Sequence, residues 1–302
     1  MRIVITGGTG FVGKALTNKL LELGHEVIIL TRKKTSVCNS SSLTYVEWLT
    51  NNSNPARELH NIDVVVNLAG ESINSGCWTS ERKDRILQSR LNATEEILAI
   101  MSKLEQKPKV LINASAIGYY GTSLTETFTE EQTIPGTDFL ATTVKLWEEK
   151  ASEASKSGIR TSLCRFGIIL DKKEGALPKM ALPYQFFVGG TVGSGQQWMS
   201  WIHLDDVINA MIYIMENDSL RGPINFTAPQ PVKMVSLGKA LGKALRRPHW
   251  IPAPAIALRI ALGEMSLLVL EGQQVVPKKL EESGYRFSFT RIENALENIY
   301  KS

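Results

Sequence analysis

Several residue types are scarce in this chain, and each scarcity excludes something. The three cysteines in 302 residues, Cys38, Cys77 and Cys164, are odd in number and scattered, which argues against a disulfide framework. The four histidines, His25, His60, His203 and His249, show no metal-ligand spacing, so no metal is expected. Excess charge is small. Against 34 Lys and Arg stand 30 Asp and Glu, and the net +4 implies neither nucleic acid nor membrane as partner, though it does not oppose a phosphorylated ligand. The most apolar late stretch, Ile251 to Leu270, is broken by Pro252, Pro254, Arg259, Gly263 and Glu264, which argues against a membrane span. The chain opens directly on an apolar strand, so no signal peptide and a cytoplasmic location are expected. A content of 43% hydrophobic and 21% charged residues is ordinary for a globular protein. This length suits one large domain with an appendage, or two domains.

Glycine, by contrast, is placed with purpose at the start. In RIVITGGTGFVG, Arg2 to Gly13, Ile3 to Thr6 read as a short buried strand. Gly7, Gly10 and Gly13 follow, and then an amphipathic helix with Phe11, Val12, Ala15, Leu16, Leu20 and Leu23 on its apolar face. Strand, glycine turn and helix make a dinucleotide-binding βα unit. Gly7 permits the tight turn, Gly10 lets backbone approach a pyrophosphate, and Gly13 lets helix and strand pack closely. The helix N-terminus offers free N–H groups to the phosphates. Gly8 to Lys14 also fits the phosphate loop of nucleotide hydrolases, but the Ser or Thr needed next to hold magnesium is Ala15.

Gly24 is a good helix C-cap before a second strand, Glu26 to Leu30. That strand ends in Thr31-Arg32-Lys33-Lys34, where an acidic residue would select NAD. A hydroxyl and three cations suit a 2′-phosphate instead, so the expected cofactor is NADP(H). Residues Cys38 to Pro55 read as irregular connection. Asp63 to Leu68 is a strand of the kind buried in a parallel sheet, ending in small residues at Ala69-Gly70-Glu71-Ser72. A helix over Trp78 to Met101, a strand over Val110 to Ala114, a helix over Thr142 to Ser157 and a strand over Arg160 to Leu170 continue the alternation. The expected fold is α/β, a Rossmann-type doubly wound parallel sheet, with ligands at the strands' carboxyl ends. Beyond Asp171 come a glycine- and aromatic-rich stretch, Phe186 to His203, a helix over Asp205 to Glu216, a strand over Ile224 to Ala228, and further helices. The expected division is a Rossmann domain at 1–172, continued by about 204–228, with a smaller interleaved substrate-side domain from 173–203 and 229–302.

TGGTGFVG, NLAG at Asn67 to Gly70, RFGIIL at Arg165 to Leu170 and WIHLDD at Trp201 to Asp206 resemble the extended and atypical short-chain dehydrogenase/reductases. GYYG, KLWEE, GSGQQWMSWIH and LEGQQVVPKKLEESGYRF resemble, more narrowly, the epimerase-family proteins, also called nucleotide-sugar epimerase-like or cell-division-inhibitor-like, with their C-terminal extension. The resemblance implies a Rossmann fold, NADP(H) binding and a small-molecule substrate of unstated identity. It implies cofactor contacts at Gly7, Thr9, Gly10, Phe11, Val12, Gly13, Thr31, Arg32, Leu68, Ala69, Gly70, Arg90, Lys145 and Phe166. A homo-oligomer is left open.

The chemistry of that superfamily uses a Tyr to exchange a proton with a substrate hydroxyl, a Lys four residues later, and a Ser or Thr on the substrate oxygen. Lys145 fits the lysine, but Ala141 stands at the tyrosine, Ala116 at the hydroxyl and Arg90 at an asparagine of the preceding helix. Two activities therefore stay open. In one, a shifted set of Tyr120, Lys145 and Ser115 serves an oxidoreductase or epimerase acting on a sugar-nucleotide-like or small carbonyl or hydroxyl compound. In the other, the protein binds NADP(H) without turnover, as a regulator or sensor. Tyr119 and Tyr120 also suit plain packing, and Lys145 a solvated helix face. Glu71, Ser72, Tyr119, Trp198, Trp201 and His203 are the expected substrate-pocket wall, since aromatics with convergent polar groups hold flat or sugar-like ligands.

Overall fold

A computed structural model describes residues 1–32, 41–51 and 53–301. The elements run β1 (Arg2–Thr6), α1 (Phe11–Glu22), β2 (Glu26–Thr31), β3 (Leu43–Glu47), β4 (Val64–Asn67), α2 (Ser80–Lys103), β5 (Val110–Ala116), β6 (Thr127–Phe128), α3 (Phe139–Ser152) and β7 (Arg160–Phe166). The second half continues β8 (Ile168–Leu170), α4 (Leu177–Gln185), β9 (Trp198–Met199), β10 (Trp201–His203), α5 (Leu204–Glu216), β11 (Gly222–Phe226), β12 (Val232–Lys233), α6 (Met234–Leu245), α7 (Ala255–Leu262), α8 (Leu267–Leu270), β13 (Gln274–Val275), α9 (Lys278–Glu282) and α10 (Ile292–Lys301).

Seven strands form one parallel sheet in the order β11-β7-β5-β4-β1-β2-β3. Both faces are covered, which is why its strands read as unbroken apolar runs. Neighbouring residues point to opposite faces, so Ile3 and Ile5 join the core beneath α1 and α5, while Val4 joins the core beneath α2. The first core takes Leu16 and Leu20 from α1 with Met211 and Ile214 from α5, and the second takes Ile97, Ile100 and Met101 from α2. A third core packs α4, α6 and α10 through Ala181, Leu237, Leu241, Leu296 and Ile299. The strand order turns back between β1 and β4, and a ligand crevice at the carboxyl ends is expected there.

Three local expectations are corrected. Within the stretch read as irregular, Leu43–Glu47 is the edge strand β3, paired in parallel with β2. Its alternation is only five residues long and lies among Ser and Asn, but Val46 is buried and Leu43 and Tyr45 pack on the sheet. The strand expected over Arg160 to Leu170 breaks at Gly167, whose N–H donates to Phe226 O and whose missing Cβ leaves room for the Ser200 carbonyl. Past that point β8 leaves the main sheet and pairs with β10. Helix α4 follows where the sequence shows no helical signal, and it has Pro178 in its first turn, where a missing N–H costs nothing.

A buried polar network fixes the strand ends where the crevice opens. Thr6 Oγ1 donates to Asn67 Oδ1 at 2.6 Å and accepts from the N–H groups of Leu68 and Ala69. Asn67 Nδ2 donates to Asn113 Oδ1 and Thr94 Oγ1, and Trp147 Nε1 donates to the same threonine at 3.0 Å. One network thus ties β1, β4 and β5 to α2 and α3, and satisfied buried networks of this kind are stiff.

Candidate functional site

The crevice is a cleft of about 750 Å³ at the carboxyl edge of the sheet. Its first end is the glycine turn. Gly7 has φ +67°, a conformation glycine adopts without strain, and its N-terminal neighbour strand is pinned by the network above. A Cβ at Gly13 would strike the Gly7 carbonyl, so α1 packs directly on the turn. At Gly10 an added Cβ would meet only Gly7 O, at 3.2 Å, and otherwise faces open space. Helix α1 begins without a side-chain cap and without an acidic residue in its first turn, leaving its first N–H groups for an incoming anion. These features fit a dinucleotide pyrophosphate.

Gly7, Gly10, Phe11, Val12, Gly13, Leu68, Ala69, Gly70, Arg90 and Phe166 converge on this one cleft. Arg90 donates from one terminal nitrogen to Glu71 O and Ile86 O and lies over the Trp147 ring, 5.1 Å from its centroid. Burial lowers its pKa to about 10, so it stays cationic at neutral pH. Thr9 is exposed in the turn, and Thr31 and Arg32 end β2 outside the cleft wall. Lys33 and Lys34 lie outside the described residues.

The expected catalytic group is split apart. Ser115 lines the cleft, at the end of β5. Tyr120 does not: its ring is buried and stacked on Phe128, and its hydroxyl donates to Asn225 Oδ1 at 2.7 Å. Burial pushes its pKa up to about 12, the wrong direction for a phenol that must give up a proton. The helical turn at residues 117–120 carries the ring beneath the strand end rather than into the cleft. Lys145 is half-exposed, 3.8 Å from Glu149 on the next turn, and is not part of the cleft wall. The buried face of α3 runs through Ala141, Val144 and Glu148 instead.

The expected substrate wall is split as well. Ser72 and Trp198 line the cleft. Glu71 instead pairs with Arg82, and Tyr119 is buried and donates to Thr133 O at 2.6 Å. Trp201 lies fully buried in the third core with its indole N–H on Gln230 O, and His203 caps α5 by accepting from Asp205 N. The segment divides between two strands: β9, Trp198–Met199, borders the cleft, whereas Trp201 and His203 belong to β10, paired with β8, and do not line it.

Ser115 is held by residues the sequence reading passed over. Its hydroxyl donates to Glu148 Oε1 at 2.6 Å, and Glu148 receives Arg165 Nε at 2.8 Å and the Arg165 terminal nitrogen at 2.7 Å on its two oxygens. Arg165 is 2% exposed and lies 3.6 Å from the centroid of the Tyr119 ring. Burial works against its charge, but the Glu148 hydrogen bonds and charge hold its pKa above the ordinary value. The signal is an arginine directly after Leu163 and Cys164 in a strand of the central sheet, because such a residue is buried only with a partner. The far wall of the cleft comes from the C-terminal region, through Leu267, Leu268, Glu271, Gly272 and Gln273.

Residues 3–144 match the family described as NAD dependent epimerase/dehydratase, and residues 253–299 match the domain of unknown function DUF1731. The chain is 48% identical over 299 residues to the epimerase family protein YfhF of Bacillus subtilis, covering 99% of this chain and 98% of that one. It is 40% identical over 298 residues to the epimerase family protein SAOUHSC_00792 of Staphylococcus aureus, covering 99% and 98%. Among solved structures, the human epimerase family protein SDR39U1 with NADPH superposes with a TM-score of 0.89 at 32% identity, over 100% of both chains. A UDP-glucuronic acid 4-epimerase from Bacillus cereus in complex with NAD shares the fold, with a TM-score of 0.78 at 16% identity over 100% and 98%. A parallel Rossmann-like sheet, a glycine turn open to a pyrophosphate and these full-length similarities agree: the chain belongs to the epimerase family, short-chain dehydrogenase/reductase-like proteins that bind a nicotinamide dinucleotide, and it carries the DUF1731 domain at its C-terminal end.

Proposed function

We propose that this protein binds NADP(H) and acts as an oxidoreductase or epimerase-type enzyme on a hydroxyl or carbonyl compound, without the usual Tyr–Lys pair. The observation that carries this is one cleft running from the α1 glycine turn to the hydroxyl of Ser115. Arg32, exposed at the end of β2, is the side chain offered to a 2′-phosphate, with Thr31 before it. Arg90 adds a second cation inside the cleft. The NADPH named with the human relative supports the same choice of cofactor. When bound, the nicotinamide supplies hydride exchange. Ser115 has one proton, and it is committed to Glu148, so toward a group in the cleft the hydroxyl can act only as an acceptor. It therefore suits a substrate hydroxyl that donates to it. Glu148, in turn, is oriented by Arg165.

Ala141 and the outward Lys145 favour a second reading, an NADP(H)-holding protein without turnover. Fluorescence titration with NADPH and NADH, on the wild type and Arg32→Ala, tests the cofactor. The wild type should prefer NADPH, and Arg32→Ala should lose roughly ten- to a hundredfold of that affinity, the loss of one charge-assisted contact of about 1.5–3 kcal/mol. Equal affinities in the wild type reject the NADP(H) assignment. Oxidation of bound NADPH against a panel of carbonyl compounds then separates the readings. Turnover that Ser115→Ala abolishes supports the enzyme, and silence across the panel supports the non-catalytic binder.

A further inference from the structure

Resting on the NADP(H) reading of the cleft, we infer that its second ligand is a small, uncharged, largely apolar or aromatic carbonyl compound or alcohol, not a nucleoside diphosphate sugar. The first argument is charge. Among the described residues that line the cleft, the cations are Arg90 and Lys179, and the carboxylates are Glu271, Asp138, which caps α3, and Glu174, which lies 3.8 Å from Lys14. Arg90 is anchored between Gly70 and Trp147, at the strand end expected to meet the cofactor, and Lys179 is exposed and reaches Asn74 O. With Arg90 at the cofactor end, a second diphosphate would have Lys179 as the remaining lining cation of the cleft among the described residues, beside the carboxylates of Asp138 and Glu271, and like charges across an interface are disfavoured.

The second argument is the character of the remaining wall. Ile73, Leu140, Trp198, Met199, Leu267 and Leu268 supply apolar or aromatic surface, set between the polar side chains of Ser72, Asn74, Thr122 and Gln273. An annex of about 390 Å³ shares Asp138, Leu140, Leu267 and Glu271 with the cleft and adds Trp78 and Phe139, packed edge to face at 5.4 Å, together with Arg259 and with Lys83, which is paired with Glu264. An uncharged ring compound removes this surface from water at a gain that a sugar diphosphate forfeits.

The third argument is space. Sites that bury a single drug-sized ligand span about 300–1,000 Å³, so the cleft of about 750 Å³ falls in the range of one ligand, and a second must share it with the cofactor. The wall beside Trp198 is closed by the chain itself. Gln197 Nε2 donates to Val192 O and Val269 O, and Gly193 faces the Leu270 side chain where a Cβ would come within 2.8 Å. Gly272 lies against the Trp198 carbonyl, and Trp198 Nε1 donates to Leu124 O at 3.0 Å.

The test uses the full chain loaded with NADPH, loading being read first from the cofactor's own fluorescence. Cinnamyl alcohol, UDP and UDP-glucose are then titrated by calorimetry; the alcohol cannot oxidise NADPH, so binding alone is measured. The alcohol should bind roughly tenfold or more tightly than UDP-glucose. Leu267→Glu should weaken the alcohol by roughly tenfold or more, the worth of one buried leucine contact, with NADPH loading unchanged. Trp198→Ala, a truncation that adds no charge, should weaken it in the same sense if Leu267→Glu fails to fold. Tighter binding of UDP or UDP-glucose, or indifference of the alcohol to a folded wall variant, overturns the inference while the cofactor reading stands. Failure to load NADPH overturns both.

Discussion

Consider replacing Arg165 with methionine. The guanidinium is 2% exposed and supplies two of the three hydrogen bonds that Glu148 receives, at 2.8 and 2.7 Å. Without it, a carboxylate that is itself 6% exposed keeps only the Ser115 hydroxyl. Breaking a buried ion pair from one side costs about 3–5 kcal/mol, a large part of a domain's net stability. Two lost charge-assisted bonds at about 1.5–3 kcal/mol each give a similar figure. Glu148→Leu strands the cation instead, but the Tyr119 and Tyr120 rings lie 3.6 and 4.9 Å from it and soften the loss, so this variant should fall at the lower end of the range. The double variant Glu148→Leu with Arg165→Met removes both charges and leaves a hydroxyl that borders the cleft. It should be more stable than the Arg165→Met single by about 2–4 kcal/mol, because the desolvation of both ions disappears together. Urea unfolding followed by far-ultraviolet circular dichroism gives all four stabilities. A double variant destabilised by the sum of the two singles would refute the coupled-pair account.

Gly10→Val should keep the circular dichroism spectrum but lose NADPH binding, since its side chain points into the cleft; wild-type affinity would exclude the turn as the phosphate site. Tyr120→Phe should lower stability by about 1–3 kcal/mol, by unpairing Asn225, and leave turnover and NADPH affinity unchanged; lost turnover would return Tyr120 to the catalytic group. Burial holds His203 below its ordinary pKa of 6.5, against the opposing charges of Asp205 and Asp206, and its unprotonated Nδ1 accepts from Asp205 N. With the folded pKa below the unfolded one, this stability is complete above 6.5 and is lost as pH falls towards the folded value. His203→Asn keeps a cap acceptor and should flatten that part of the stability–pH profile; an unchanged slope would reject the assignment.

The sequence made the first βα unit legible because its determinants are local: glycine spacing, an apolar run and helical periodicity within some twenty residues. The parallel character of the sheet follows from strands alternating with helices, whereas the order of its strands is seen in the structure. Side-chain direction at the strand ends was not legible. Ser115 and Tyr120 are both near the end of β5, yet the short helical turn between them sends one hydroxyl to the cleft wall and the other to Asn225. Glu148 was hidden for a different reason. Its partners, Ser115 and Arg165, are 33 and 17 residues away, and nothing in KLWEE says which of two adjacent glutamates turns inward. The wall from Leu267 to Gln273 depends on still longer-range contacts, such as Gln273 Nε2 with Ile117 O.

That wall has a consequence for how the protein comes into being. Synthesis delivers the chain from its N-terminus, and folding units generally form in that order. The last strand of the main sheet ends at Phe226, so the sheet, the glycine turn and Ser115 are all made while residues 267–273 are still to be translated. Those late residues are then fastened by Ser200, whose hydroxyl donates to Gln273 O and accepts from Val275 N, and by β13 pairing with β6. A nascent chain therefore holds an open groove, and the chamber exists only once the final stretch has left the ribosome. A premature stop after the sheet would take α6 and α10 out of the third core as well as one side of the binding chamber.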